Sequence, residues 1–208
     1  MPRVDFGNII PSCNAEIYFW HIGESCEQLS ELIADNGLLL AESERMFKSL
    51  SRQREWLAVR ALLKSTPYYN ANILYHSCGK PYLSGNGKHI SISHTQEYVV
   101  IAVSDSPIGI DVEHTGRNAI GAVKAYLQPY EMDMLNLGDN PAEEALFLWS
   151  AKEAVFKLLS PSVTVLKEIG IAKNANLYTV VCPDNSKAIC RSYVLGDLVI
   201  SVASFIDI

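Results

Sequence analysis

The segment from Ala142 to Leu159 constrains this chain more than any other. Pro141 stands just before it and Pro161 just beyond it, where proline opens and stops a helix. Glu143 and Glu144 fall in the first turn, where carboxylates meet the positive end of the helix dipole. Leu146, Leu148, Ala151, Val155, Leu158 and Leu159 lie on several sides of a helix drawn through the segment, so it is largely buried. Trp149, Glu153 and Lys157 recur at four-residue steps and share one slowly turning face. A Glu–Lys pair at that spacing is ordinarily a surface pair. Beside so much apolar surface it is also a candidate site.

Gly109-Ile110-Asp111-Val112-Glu113 reads as a strand. Residues i and i+2 of a strand point to the same side, so Asp111 and Glu113 present two carboxylates together while Val112 faces the core. Like charges this close repel, and their proton affinities rise unless a cation sits between them. Taken alone, the pair suits the solvent face of an amphipathic strand as well as half a metal site. If strand and helix converge, Asp111, Glu113 and Glu153 offer three hard oxygen ligands. Magnesium takes such a set and fills its remaining positions with water and substrate phosphate. Lys157 would then neutralise charge on phosphate oxygens.

The 208 residues fit one large domain or two small ones. At 49% hydrophobic and 19% charged the chain has a sizeable core, and its net charge of −6 speaks against a nucleic-acid binder. Its five cysteines are odd in number, widely spaced and without a CxxC pair, so reduced thiols are expected rather than disulfides or zinc. The N-terminus lacks a signal pattern and no apolar run approaches a membrane span. A cytoplasmic protein with no membrane or nucleic-acid partner is expected.

Residues 1–14 read as a lead-in. Ala15–Ile22 suits a strand, Glu24–Leu40 is weakly helical with a break near Asn36-Gly37, and a long helix is expected from about Ser43 to Lys64. Arg52, Trp56, Arg60 and Lys64 share a face of that helix, either as a solvated basic stripe or as an anion site through Arg60. Strands are expected at Asn72–His76, His89–His94, Tyr98–Val103 and Ile108–Glu113, with turns at Ser77–Gly79 and Gly85–Gly87. Helical pattern follows over Ile120–Leu127 and Tyr130–Leu137, with a loop at Gly138–Pro141. Beyond the Ala142–Leu159 helix, strands are expected at Tyr178–Cys182, Ala188–Val194 and Leu198–Phe205. Both halves thus run strand, helix, strands, with a boundary at Asp105-Ser106-Pro107. His94 and Lys80 would add cationic groups from the first half. A lone histidine at a strand end is also an ordinary surface residue, and His21, His76, His89 and His114 have only that reading.

Four motifs in order resemble the 4′-phosphopantetheinyl transferases of the Sfp type. They are Gly79-Lys80-Pro81-Tyr82-Leu83, Ile92-Ser93-His94-Thr95, Gly109–Glu113 and Trp149-Ser150-Ala151-Lys152-Glu153-Ala154-Val155-Phe156-Lys157. Arg52–Leu63 resembles the family's N-terminal helix, and Ala125-Tyr126-Leu127 with Glu131 its segment after the acidic strand. The likeness covers roughly residues 15–160. It implies an α/β (α+β) fold of two pseudo-symmetric halves, 1–105 and 106–208, each with a small sheet packed on a long helix. The first half would take the nucleotide side of coenzyme A; the second would hold magnesium and dock the carrier protein.

The likeness also implies the reaction. A serine hydroxyl of an apo acyl or peptidyl carrier protein attacks the β-phosphate of coenzyme A, the phosphopantetheine arm moves to the serine, and 3′,5′-ADP leaves. Position by position, Asp111, Glu113 and Glu153 match the magnesium ligands, and Glu153 also matches the proposed base. Lys157 matches the lysine on the pyrophosphate. Lys80, Ser93, His94 and Arg60 match groups on the nucleotide and phosphate side. The fused halves make a functional monomer the expectation.

Two features depart from the family pattern. Leu158-Leu159-Ser160-Pro161-Ser162-Val163 stands where the family often has a glycine-containing stretch, so the pantetheine channel would differ in shape. Carrier proteins are themselves acidic, so docking on a chain of charge −6 calls for a local patch. Lys124, Lys152, Lys167 and Lys173 are its candidates, although scattered solvated lysines read equally well. Two other readings remain: a non-catalytic relative that binds coenzyme A or a carrier, and a magnesium-dependent nuclease. The four-residue Glu–Lys gap on a helix and the negative charge disfavour the nuclease.

Overall fold

The structure, a computed structural model, describes residues 15–85, 87–136, 139–174, 177–182 and 187–206. The lead-in at 1–14 and parts of the turns expected at Gly85–Gly87 and Gly138–Pro141 lie outside the described residues.

The first sheet is formed by β1 (Ala15–His21), β5 (Tyr98–Ser104) and β4 (His89–His94), in the order β1-β5-β4 and antiparallel throughout. Between β1 and β4 run α1 (Cys26–Ile33), α2 (Leu38–Met46), α3 (Leu50–Lys64) and a hairpin of β2 (Ile73–Tyr75) and β3 (Pro81–Leu83), with β3 lying against β4. The second sheet has the order β6-β10-β9-β8-β7, from β6 (Ile108–His114), β7 (Ile171–Asn174), β8 (Leu177–Val181), β9 (Lys187–Leu195) and β10 (Leu198–Phe205). Between β6 and β7 lie α4 (Val123–Tyr126) and α5 (Pro141–Leu159). The plan repeats: in each sheet the first strand pairs with the last, the last with the one before it, and a long helix follows the first strand. This is the mixed α/β architecture of two like halves that the sequence leads one to expect.

The alternation of side chains stacks these elements into four layers. In β1, Tyr18 and Trp20 face α3, while Ile17 and Phe19 face the other sheet. In β5, Val99, Ile101 and Val103 face α3, while Val100 and Ala102 face β6 and β10. That explains why β5 reads as an unbroken apolar run: both of its faces are covered. Ile108, Ile110 and Val112 of β6 complete the layer between the sheets, each at most 2% exposed. Full burial of such a side chain contributes about 1.5–3 kcal/mol. The period of two then turns Gly109, Asp111 and Glu113 toward α5.

Gly109 is required by that packing. A Cβ there would lie 1.9 Å from the Ala154 carbonyl oxygen and 2.8 Å from the Leu158 nitrogen. Only hydrogen at this position lets α5 lie directly on β6. On its other edge β6 meets β4 through side chains. The hydroxyls of Ser91 and Ser93 accept from the backbone N–H groups of Ile110 and Val112, at 3.0 and 3.1 Å.

Three sequence expectations need correction. The long helix from Ser43 to Lys64 is two helices, broken at Phe47, whose backbone is extended at φ −128° and ψ 129°. The break turns the Phe47 ring toward Trp56, with centroids 6.4 Å apart, and the Gln53 amide donates to the freed Phe47 carbonyl at 2.7 Å. Aromatic packing outweighs helix continuity there. The helical pattern expected over Ile120–Leu127 and Tyr130–Leu137 is, in the described residues up to Asn136, mostly 3₁₀, with one α-turn at Val123–Tyr126. Strand β7 was not expected: Ile171-Ala172-Lys173-Asn174 is too short and mixed to stand out, and pairing with β8 makes it a strand.

Among the described residues no helix is long and apolar enough to cross a membrane.

Candidate active site

Helix α5 lays Trp149, Glu153 and Lys157 along β6. The Lys157 ammonium donates to three acceptors: the Asp111 carboxylate at 2.9 Å, the Ile110 carbonyl at 2.9 Å and the Ser93 hydroxyl at 3.0 Å. All three of its protons have a partner. Ser93 is fully engaged as well. It donates to Asp111 Oδ1 at 3.0 Å and accepts from Lys157 and the Val112 N–H. One serine thus fixes the strand seam, the lysine and the carboxylate together.

Glu113, one strand period on, accepts from Arg117 Nη1 at 2.6 and 2.8 Å and from the Trp149 indole N–H at 2.7 Å. The Arg117 guanidinium also lies over the Trp149 ring, 4.6 Å from its centroid. Burial raises the proton affinity of Glu113, the Asp111 charge adds to the rise, and Arg117 and Trp149 oppose it. Glu153 is raised in the same way, first by burial, then by Asp111, with Lys157 opposing.

The expected metal ligands do not meet as one ready ligand set. Among the described residues no group of three His, Cys, Asp or Glu stands arranged to hold a metal ion. Asp111 Oδ1 is held by Lys157 and Ser93, and both Glu113 oxygens are held by Arg117. The donor chemistry nonetheless fits a divalent cation. Asp111 Oδ2 is buried with no hydrogen-bond partner, a costly state for a carboxylate oxygen. Burial first, and the Asp111 charge after it, disfavour the ionised forms of Glu113 and Glu153, which a cation would favour.

Beside Lys157 opens a cleft of about 370 Å³. Arg52, Arg60, Lys80, His94 and Lys157 face it, against walls that include Phe47, Trp56, Ile90 and Phe156. Four residues expected on the ligand side, Arg60, Lys80, His94 and Lys157, therefore line one space, with Ser93 and Asp111 immediately behind Lys157. Arg60 stacks on Trp56, 3.1 Å from the ring centroid, and donates to the Trp56 carbonyl. Lys64, the fourth residue of that stripe, instead donates to the Tyr69 carbonyl away from the cleft. Lys80 reaches across from the first half and donates to the carbonyls of Leu158 and Ser160, at 2.8 and 3.1 Å. These are orphan carbonyls at the α5 C-terminus, where a cation is favoured.

His94 is gripped between Arg52 and Glu55. Its Nε2 lies 3.3 Å from Arg52 Nη1 and its Nδ1 lies 3.4 Å from Glu55 Oε2. Burial lowers its proton affinity; Glu55 and Asp111 oppose this, and Arg52 and Lys157 reinforce it.

Sequence reasoning did not assign Arg117, Trp149, Arg52 or Glu55 to the site. For Arg52 and Glu55 the available signal was their three-residue spacing on a helix that also bears Arg60. Arg117 gave none, because Gly116 precedes it in a turn. One expectation is overturned. Lys152 is no docking lysine: its side chain is 0% exposed and paired with Glu131, also 0% exposed, because that face of α5 packs under the 3₁₀ segment Pro129–Asn136. Lys173 is likewise engaged, by Glu144. Lys124 and Lys167 are exposed and adjacent, the ammonium of Lys167 lying 3.1 Å from the Lys124 carbonyl.

Residues 107–203, which run from β6 into β10, match the family model described as the 4′-phosphopantetheinyl transferase superfamily. Curated relatives carry the name 4′-phosphopantetheinyl transferase. The gsp protein of Aneurinibacillus migulanus is 29% identical over 138 residues, 64% of this chain and 57% of its own length. A Bacillus subtilis protein is 35% identical over 82 residues, 38% of this chain and 37% of its own length. One from Bacillus pumilus is 36% identical over 94 residues, 38% of this chain and 39% of its own length. The chain thus spans about half or less of the length of these relatives.

Proposed function

We propose, with residues 107–203 forming a domain of the 4′-phosphopantetheinyl transferase superfamily, that this protein moves the phosphopantetheine arm of coenzyme A onto a serine of an apo acyl or peptidyl carrier protein. The observation that carries the proposal is the join between two features: a cleft of about 370 Å³ lined by five cationic or imidazole groups, and the buried Asp111 carboxylate directly behind its lysine.

The cleft suits a phosphorylated ligand. Arg52, Arg60 and Lys80 provide positive charge from the first half, residues 1–105, which takes the nucleotide side; Lys157 provides it from the second half, residues 106–208. Trp56 and Phe156 offer apolar surface for the rest of the ligand. The transfer forms a bond from the serine oxygen to the β-phosphorus and breaks the bond to the bridging oxygen. The 3′,5′-ADP leaves with that electron pair. Glu153 takes the serine proton, directly or through a water. A carboxylate whose proton affinity is raised by burial is a stronger base than an exposed one. Lys157 stabilises the charge gathering on the phosphate oxygens. Magnesium held by Asp111, Glu113 and Glu153 would neutralise the pyrophosphate. The acidic carrier meets Lys124 and Lys167, and the protein acts as a cytoplasmic monomer.

A non-catalytic relative is favoured by one observation: Arg117 already occupies both Glu113 oxygens. Incubating the protein with magnesium, coenzyme A and a panel of apo-carriers separates the two readings. Transfer adds the mass of phosphopantetheine to a carrier serine, and Glu153→Gln abolishes it. Coenzyme A binding without a mass gain on any carrier would select the binding-only reading, and a Glu153→Gln protein that transfers at the normal rate would remove Glu153 as the base.

A further inference from the structure

Among the described residues, Glu55 is the one carboxylate lining the cleft, beside Arg52, Arg60, Lys80, His94 and Lys157. A carboxylate in a pocket that takes a polyanion repels the ligand, so its presence calls for a physical reason. Its side chain is 9% exposed and both oxygens are in use. Oε1 accepts from the Ser51 hydroxyl at 3.0 Å. Oε2 accepts from Arg52 Nη1 at 3.2 Å and faces His94 Nδ1 at 3.4 Å. Ser51 and Arg52 share α3 with Glu55, whereas His94 ends β4, so the carboxylate links helix to strand at the cleft wall.

The third side of this triangle fixes the histidine proton. Arg52 Nη1 lies 3.3 Å from His94 Nε2. A guanidinium only donates, so Nε2 of the neutral ring accepts, and the ring proton sits on Nδ1, toward Glu55. We propose that Glu55 is a positioning residue that holds His94 as its Nδ1–H tautomer and Arg52 beside it, so that both meet an anionic ligand already oriented. This rests on reading the cleft as the coenzyme A site. The charge of Glu55 is repulsive toward the ligand, yet the order it imposes on two ligand-facing groups outweighs the repulsion, because side chains already held in place lose less freedom on binding. Glu55 is not a catalytic residue in this scheme; it acts through its two neighbours.

The two effects differ in sign, so they can be separated. Three proteins are compared: the wild type, Glu55→Ala and Glu55→Gln, whose amide oxygen can still accept from Nδ1–H. Imidazole ¹⁵N shifts report the His94 tautomer, and calorimetric titration with coenzyme A reports affinity. The wild type shows the Nδ1–H form; Glu55→Ala shifts His94 toward Nε2–H; Glu55→Gln retains Nδ1–H. Coenzyme A affinity falls about tenfold in Glu55→Ala, the loss expected for a hydrogen bond to a charged group, and recovers in Glu55→Gln. An unchanged tautomer in Glu55→Ala, or tighter coenzyme A binding in that variant, overturns the proposal. Wild-type protein that binds no coenzyme A would instead refute the reading of the cleft, while the tautomer measurement still decides the role of Glu55.

Discussion

Replacing Lys152 with methionine tests the packing beneath α5. The Lys152 and Glu131 side chains are both 0% exposed, with Nζ 2.5 Å from Oε2. Lys152 also donates to the Tyr126 carbonyl at 2.7 Å. Glu131 in turn accepts from the backbone N–H groups of Gln128 at 2.6 Å and Ile171 at 3.0 Å, tying the 3₁₀ segment and β7 to the helix. Lys152→Met leaves a carboxylate stranded in the core. Breaking a buried pair by removing one partner costs about 3–5 kcal/mol, of which the lost Tyr126 bond is about 1 kcal/mol. In a domain of this size that lowers Tm by roughly 6–20 °C.

The double variant is the sharper part of this test. Adding Glu131→Gln to Lys152→Met removes the stranded charge, so part of the lost stability returns. Urea unfolding at pH 7 measures wild type, Lys152→Met and the double variant. A deficit below about 1 kcal/mol in Lys152→Met, or one that the second change leaves untouched, would refute the claim that burial of this pair governs the cost.

Two further perturbations probe the site. Gly109→Ala places a methyl group where the Ala154 carbonyl and the Leu158 N–H already are; α5 must lift off β6, lowering stability by about 1–3 kcal/mol or more. Because that shift separates Lys157 from Asp111, carrier modification should be lost at temperatures where circular dichroism shows the protein still folded, and retained activity would argue against the close approach. The second concerns His94, whose folded proton affinity lies below its ordinary value of 6.5, first through burial. Its contribution to stability is present above that value and is lost as pH falls through the lower folded value. Wild type should thus lose stability against His94→Gln on acidification below pH 6.5 in the absence of ligand, and parallel curves of Tm against pH would contradict the assignment.

The order and kind of most elements can be read from particular residues. Pro141, Pro161 and the two acids at the first turn mark the ends of α5, and its all-round apolar pattern says that it is buried. The alternation in β6 says that Asp111 and Glu113 leave the strand together. Local chemistry carries these signals, because caps, prolines and side-chain periods act over a few residues. The same local rules fail at Phe47, where a helix gives way to packing against Trp56, and at β7, which exists through its pairing with β8.

What the sequence determines here is a set of groups and the faces they share: acids on one side of β6, a carboxylate and a lysine on one side of α5, arginines along α3. Tertiary structure alone decides which of them meet. Lys157 closes on Asp111, two elements away in the chain; Glu113 is taken by Arg117 and Trp149; Lys152 vanishes under Glu131; and Glu55 grips His94 across a helix–strand contact. The physical reason is that a charge near apolar surface is satisfied by whatever partner the packing brings within about 3 Å, and packing is fixed by contacts between residues far apart in sequence. Gly109 shows both levels at once: its identity is visible in the chain, but its need for no side chain appears only when α5 lies upon it.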